Sequence, residues 1–249
     1  MRMLFVIPAY NEADNIGKCI ELLDNIQTPA EVLQIIVVDD GSVDGTASIA
    51  ESCAGQHPVR VVKHETNYGV GQAFRTGFAA ALELAEDEDI IATIEADNTG
   101  DFDILPEMVR QIQNGADLAL ASCYAAGGKI VDSTPLRLIL SKTANLLLRI
   151  FYPTLRVHTF SSFYRVYRAS LLKAALARHG EHFIEQDGFE CMVEVLIKLS
   201  RMTENIVEVP MTLQAGERIG RSKMRICKTI VGYGQFMARD TLNRLQGKG

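Results

Sequence analysis

The chain has few of the features that mark an exported, membrane-spanning or disulfide-stapled protein. Its five cysteines, Cys19, Cys53, Cys123, Cys191 and Cys227, are odd in number and scattered without paired spacing. Neither a disulfide framework nor a thiolate metal site is expected from that pattern. Polar residues break every apolar stretch well before membrane-spanning length, which argues against a transmembrane helix. Met1-Arg2 runs straight into Leu4-Phe5-Val6-Ile7, which has neither the length nor the small-residue cleavage site of a secretory signal. These absences together point to a reducing cytoplasm. Internal repeats and low-complexity tracts are also missing, and 249 residues suit one large domain, 1–249, with a single core as the simplest arrangement. Acidic residues are absent from Arg137 to Arg178, where eight bases stand unopposed, and from Arg218 to Gly249 only Asp240 faces eight more. The net charge is nevertheless −6, so an acidic protein carries a basic second half. Such a surface suits phosphates or lipid headgroups, with a merely solvated face as the plain alternative. No aromatic-interleaved platform or base-reading motif accompanies the cations, so nucleic acid is not an expected partner.

Two apolar runs in the first hundred residues end abruptly in carboxylates. Ile35 to Val38 stops at Asp39-Asp40, and Ile90 to Ile94 stops at Glu95-Ala96-Asp97. Short continuous runs rich in Ile and Val read as strands buried on both faces, as in a parallel sheet covered by helices. The carboxyl ends of such strands are where these sheets bind ligands. Leu4–Pro8 and Val59–Lys63 supply two more strands, and helical spacing is expected over Ala13–Ile26, from Gly45 through Ala54, over Gln72–Ala85 and over Ile104–Asn114. A short strand follows at Leu118–Ala121. This alternation predicts an α/β fold with a mostly parallel central sheet flanked by helices.

The second half changes character. Pro135–Phe151 aligns Leu136, Ile139, Leu140, Thr143, Leu147 and Ile150 on one helical side, with Lys142, Asn145 and Arg149 on another. A strand at Phe163–Tyr167, a helix at Phe189–Ser200 and a strand at Ile206–Pro210 are expected. Arg221-Ser222-Lys223 then opens a C-terminal helix. The basic helices either pack on the core or rest on a membrane surface with their cationic side outward.

Certain residues carry chemistry at the predicted sheet edge. Pro8-Ala9-Tyr10-Asn11-Glu12 follows the first strand and offers a rigid turn with an aromatic face for a nucleobase, or for ordinary packing. Asp39 is positioned to accept a hydrogen bond from a ring N–H, or to cap a turn. The glycine-rich phosphate turn of dinucleotide-binding enzymes is absent after the first strand.

Taken together and in this order, Ile7-Pro8-Ala9-Tyr10-Asn11-Glu12, Val37-Val38-Asp39-Asp40-Gly41-Ser42 and an acid-x-Asp after the fourth strand resemble the family 2 glycosyltransferases of the GT-A fold. Gly127-Gly128-Lys129, the helix bearing Ser141 and Asn145, Ser161-Ser162-Phe163, Gly188-Phe189 with Glu194, Glu208-Val209-Pro210 and Gly220-Arg221-Ser222-Lys223 look like the dolichyl-phosphate mannose synthase branch. The resemblance covers nearly the whole chain. It implies a nucleotide-binding half at 1–125, and an acceptor-binding half with a C-terminal helix at 126–249.

The same resemblance implies roles. Pro8, Tyr10, Glu12, Val37 and Asp39 would cradle the nucleoside of a nucleotide-sugar, with Ala96 in backbone contact. Glu95 and Asp97 would hold Mg²⁺ or Mn²⁺ against the diphosphate, as oxygen ligands suit those hard cations. Lys223 and Arg218 would close over the phosphates. The implied reaction is a metal-dependent, inverting transfer of a hexose, mannose favoured, from a nucleoside diphosphate sugar to a polyprenyl or dolichyl phosphate. That activity would be peripheral on the cytoplasmic membrane face, in contact with an anionic lipid surface. Three positions depart from the pattern: Glu95 is one methylene longer than the usual aspartate, Cys123 replaces an arginine, and Arg218 sits one place nearer Lys223 than the usual arginine. Transfer to a hydroxyl of a glycan, glycolipid or small molecule is the alternative reaction and would need a base, for which Asp187 is the candidate. A noncatalytic nucleotide-sugar-binding subunit is the alternative outside enzymes.

Overall fold

Every early strand of the chain points the same way, and the reason is the rhythm of apolar runs and amphipathic stretches. The computed structural model describes residues 1–53, 55–220 and 226–245. The first unit runs β1 (Arg2–Ala9), α1 (Ala13–Asp24), β2 (Glu31–Asp39), α2 (Thr46–Ser52) and β3 (Val59–Lys63), followed by α3 (Val70–Leu82) and β4 (Ile90–Thr93). Strands β3, β2, β1 and β4 lie side by side and parallel, with Ala9 beside Asp39 and Val6 beside Thr93. Alternate residues of β1 enter different cores. Leu4 and Val6 pack with Phe74 and Phe78 of α3, while Met3, Phe5 and Ile7 pack with Ile16 and Ile20 of α1. Both faces are therefore dry, as the continuous apolar runs require.

Next come α4 (Leu105–Gln113), after a 3₁₀ turn at Phe102–Ile104, then β5 (Leu118–Ser122), β6 (Lys129–Val131) and α5 (Pro135–Phe151). The remaining elements are β7 (Arg165–Arg168), α6 (Ala169–His179), α7 (Cys191–Ser200), β8 (Ile206–Pro210), β9 (Thr212–Gln214) and α8 (Ile226–Leu245). The sheet continues from β4 through β7 and β5 to β8, with β7 antiparallel to both neighbours. Strand direction leaves no trace in a four-residue run, so sequence periodicity does not disclose this reversal. Helix α6 and the small parallel pair β6 and β9 were not expected either. The strand expected at Phe163–Tyr167 begins two residues later, because Phe163 belongs to the segment leading in.

Helix α5 bears on the alternative left open for the basic helices, packing on the core or resting on an outer surface. Its buried residues are Asn145 and Leu148, whereas Leu136 and Ile150 are each 64% exposed and Ile139 62%. The apolar side thus faces away from the core. The period of an apolar stripe does not by itself choose between core and outer surface, and here the tertiary context makes that choice. Helix α8 is anchored through buried Asp240, which accepts from Tyr152 Oη at 3.1 Å and Arg201 Nη2 at 2.7 Å. Residues Arg221, Ser222 and Lys223, expected to open this helix, lie outside the described residues, as does Ala54. Among the described residues no helix is long and apolar enough to cross a membrane.

Candidate active site

The carboxyl ends of β2, β1 and β4 form one edge because these strands are parallel neighbours. Loops leaving that edge are tied to each other by short polar contacts. Asp39 is buried, and its Oδ1 accepts from the Ser42 N–H at 3.2 Å. Ser42 Oγ in turn accepts from the Asn11 N–H at 2.8 Å, and Asn11 Oδ1 accepts from the Val43 N–H at 2.9 Å. Asn11 sits at φ +53°, a left-handed conformation that Asn tolerates better than most residues. This turn leaves Tyr10 36% exposed at the rim. Pro8 is half-buried beside it. Glu12 is buried at the start of α1, with its N–H on Thr46 Oγ1 at 2.8 Å. Val37 differs from the others: its side chain is wholly buried in the core beneath α1.

Asp40 does different work from its neighbour. It accepts from the Tyr68 N–H at 3.0 Å and the Gly69 N–H at 2.8 Å, and it lies 2.7 Å from His64 Nδ1. These bonds fold the 64–69 loop against the sheet edge. Gly41 permits that closeness, since at its φ of +73° an added Cβ would come within 2.4 Å of the Thr66 carbonyl carbon.

At the end of β4, Asp97 is buried and Ala96 is buried behind it. Asp97 Oδ1 accepts from the Thr99 N–H at 3.0 Å and from Thr99 Oγ1 at 2.7 Å, while Oδ2 is paired with the Arg218 guanidinium. Glu95 is only half-buried as a residue, yet burial of its carboxyl pushes its pKa up, Arg218 opposes the rise and nearby Glu12 adds to it. Glu12, Glu95, Asp97 and Arg218 therefore form one electrostatic group. Among the described residues there is no set of three or more His, Cys, Asp or Glu gathered as a metal cage. Two carboxylates still fit Mg²⁺ or Mn²⁺, because such cations are commonly held by one or two carboxylates together with substrate phosphates. The guanidinium on Asp97 fits the same view, as it places positive charge against that oxygen.

The Glu95 and Arg218 side chains border a cavity of about 220 Å³ that continues beneath α5, where Arg137, Ser141 and Asn145 line it, with Tyr124 and Tyr233 among the aromatic walls. Asn145 also fixes the opposite wall, accepting from the Phe160 N–H at 2.9 Å. Wholly buried Arg165 holds the same wall by donating to the carbonyls of Phe160 at 2.8 Å and Ser162 at 2.7 Å. Cys123 lines the cavity, and burial pushes its thiol pKa up to about 11. Asp187 does not line it. Its exposed carboxylate pairs with Arg75 Nη2 at 2.6 Å, on the α3 side of the molecule. Lys223 lies outside the described residues.

Two contributors escaped sequence reasoning. Arg137 was legible only as one cation in a basic run. Asn15, three residues after Glu12, is 1% exposed and touches several parts of the site, but a polar residue in a first helical turn gives no such signal.

Comparison with known proteins agrees with this geometry. The family model described as "Glycosyl transferase family 2" matches residues 4–176. The polyprenol monophosphomannose synthase of Mycolicibacterium smegmatis is 31% identical over an alignment covering 99% of this chain and 91% of that protein. The undecaprenyl-phosphate mannosyltransferase of Micrococcus luteus is 33% identical, with 90% of this chain and 88% of the relative covered. Among solved structures, glucosyl-3-phosphoglycerate synthase from Mycobacterium tuberculosis, in complex with Mn²⁺, UDP-glucose and phosphoglyceric acid, superposes with a TM-score of 0.67. It is 20% identical, and the match covers 99% of this chain and 79% of that one, a likeness of fold. The fold is that of the GT-A glycosyltransferases. The chain belongs to glycosyl transferase family 2.

Proposed function

We propose that this protein transfers a hexose, mannose favoured, from a nucleoside diphosphate sugar to a polyprenyl phosphate, with inversion at the anomeric carbon. The observation that carries this reading is the cavity that joins Glu95 and Arg218 to Arg137 and Ser141. It brings cationic and hydroxyl donors suited to an acceptor phosphate beside the carboxylates suited to a donor's metal. The names borne by the Mycolicibacterium and Micrococcus relatives support the same acceptor class. In this reading one domain spans the chain, with 1–125 serving the nucleotide and 126–249 the acceptor.

Each residue then has a task. Asp39 accepts from a ring N–H of the base, Tyr10 covers the base from the rim, and Pro8, Glu12 and the backbone at Val37 and Ala96 complete the cradle. Glu95 and Asp97 hold Mg²⁺ or Mn²⁺, which when bound neutralises charge on the departing diphosphate. Arg218, with Lys223, supplies further positive charge there. The acceptor phosphate is anionic near neutral pH and attacks the anomeric carbon directly, forming a carbon–oxygen bond as the nucleoside diphosphate leaves. No base is required, and alignment with electrostatic stabilisation carries the rate. The position of Asp187, tied to Arg75 and outside the cavity lining, favours this acceptor over a hydroxyl.

The outward apolar side of α5, together with the exposed cations Lys142 and Arg149 of the same helix, suits an anionic lipid surface at the cytoplasmic membrane face, where such an acceptor resides. The deciding experiment incubates purified protein with GDP-mannose or UDP-glucose, with Mg²⁺ or Mn²⁺, with and without short-chain polyprenyl phosphate, followed by mass analysis. A polyprenyl phosphate hexose is expected, and its formation should be lost in Asp97→Ala. Transfer solely to hydroxyl acceptors, or donor binding without turnover, would overturn the proposal.

A further inference from the structure

The segment bearing Arg218 is not simply draped over the site. Asn15, on the first turn of α1, donates from Nδ2 to the Ile219 carbonyl at 3.1 Å and accepts at Oδ1 from the Ile219 N–H at 3.1 Å. One buried amide thus grips both polar groups of the residue next to Arg218. The same Nδ2 donates to Glu12 Oε2 at 2.7 Å, and the Asn15 carbonyl accepts from Asn98 Nδ2 at 3.1 Å. Asn98 follows Asp97 directly and sits at φ +60°. An exposed pair, Lys18 with Glu217 at 3.1 Å, adds a weaker tie on the outer side. Asn15 is therefore in contact with all three parts of the acidic group: the end of the first loop, the tip beyond β4 and the strap carrying the guanidinium.

We infer that Asn15 is a positioning residue that seats Arg218 on Asp97, so that the guanidinium competes with a divalent cation for that carboxylate until the donor diphosphate draws Arg218 away. An arginine on a free loop would compete poorly, because fixing the backbone that carries it costs conformational entropy. Gripping the adjacent peptide removes much of that cost. The consequence is coupled loading: cation and diphosphate are captured together, and the same strap that guards the carboxylate is delivered onto the leaving group. This inference rests on the proposed function for the identity of the diphosphate, but its metal-binding consequence does not depend on the acceptor.

The test has two readouts. Free Mn²⁺ is titrated by electron paramagnetic resonance against nucleotide-free wild type, Asn15→Ala, Arg218→Ala and the double variant. Loss of one partly buried ion pair should tighten Mn²⁺ binding about fivefold in each single variant, and the double variant should match Arg218→Ala. Donor kcat/KM is measured on the same four proteins. Asn15→Ala should lower it in the wild-type background and cause no further loss once Arg218 is gone. Unchanged Mn²⁺ affinity in Asn15→Ala, or losses in kcat/KM that multiply in the double variant, would refute the inference. Should the alanine variant fail to fold, Asn15→Ser, too short to span the strap, is held to the same outcomes. Inactive wild type would instead count against the proposed reaction, leaving the Mn²⁺ comparison to judge Asn15 independently.

Discussion

Asp39 and Asp40 are adjacent carboxylates of similar burial, and their different hydrogen-bond partners, with the donor-binding role proposed for Asp39, mean that substitution should separate stability from activity. Asp40→Ala removes an acceptor from the Tyr68 and Gly69 N–H groups and from His64 Nδ1. A hydrogen bond of this kind contributes about 1 kcal/mol net, so roughly 3 kcal/mol of stability should be lost, the partly exposed N–H groups recovering some water. In a protein of this size such a loss lowers Tm by about 6–12 °C. Asp39→Asn keeps the acceptor for the Ser42 N–H and should change stability by less than about 1 kcal/mol, while weakening donor binding markedly. Urea and thermal unfolding followed by circular dichroism, alongside nucleotide titration, read both effects. Were Asp40→Ala to unfold within 1 °C of wild type, or Asp39→Asn to be the less stable of the two, the division drawn here would be wrong.

Other expectations follow from the same site. Because burial raises the Glu95 pKa, the folded state holds that proton more tightly than the unfolded chain, and the associated stabilisation, present below the ordinary value of 4.5, is lost as pH rises through the folded value. Glu95→Gln should therefore melt higher than wild type at pH 7.5 and gain nothing at pH 4; equal gains at both would discount burial as the cause. Cys123, with its pKa pushed up to about 11, should react with iodoacetamide at pH 7.5 roughly a hundredfold more slowly than a free thiol, as peptide mapping would reveal. On the outer side of α5, Ile139→Asp with Ile150→Asp should reduce binding to anionic vesicles by at least about tenfold, since each isoleucine forfeits about 1.5–3 kcal/mol of apolar burial. Undiminished vesicle sedimentation would remove α5 from the lipid contact.

The parallel frame was readable in the chain because its evidence is local. Ile35 to Val38 and Ile90 to Ile94 announce doubly buried strands by continuity of Ile and Val, and their acidic ends mark the ligand edge without knowledge of any partner. What escaped was relational. The direction of β7 depends on pairing with β4 and β5, which a short apolar run does not encode. The orientation of α5 depends on a surface that the helix itself does not carry. Asn15 acquires its importance from Ile219, 204 positions away, and no spacing rule spans that gap. Asp187, plausible as a base by composition, is committed to Arg75, 112 positions away.

The reversed strand β7 has a consequence for how such a chain can be divided. It comes from the portion after residue 125 yet hydrogen-bonds along β4, with Tyr167 opposite Ile91, and on its other side along β5. A fragment stopping before it would expose an open, sticky β4 margin where the loop bearing Glu95 and Asp97 begins. Recombining the front of this enzyme with a foreign rear portion would therefore require that the newcomer bring its own zipper strand, so new acceptors are more readily explored by altering loops and helices than by exchanging halves.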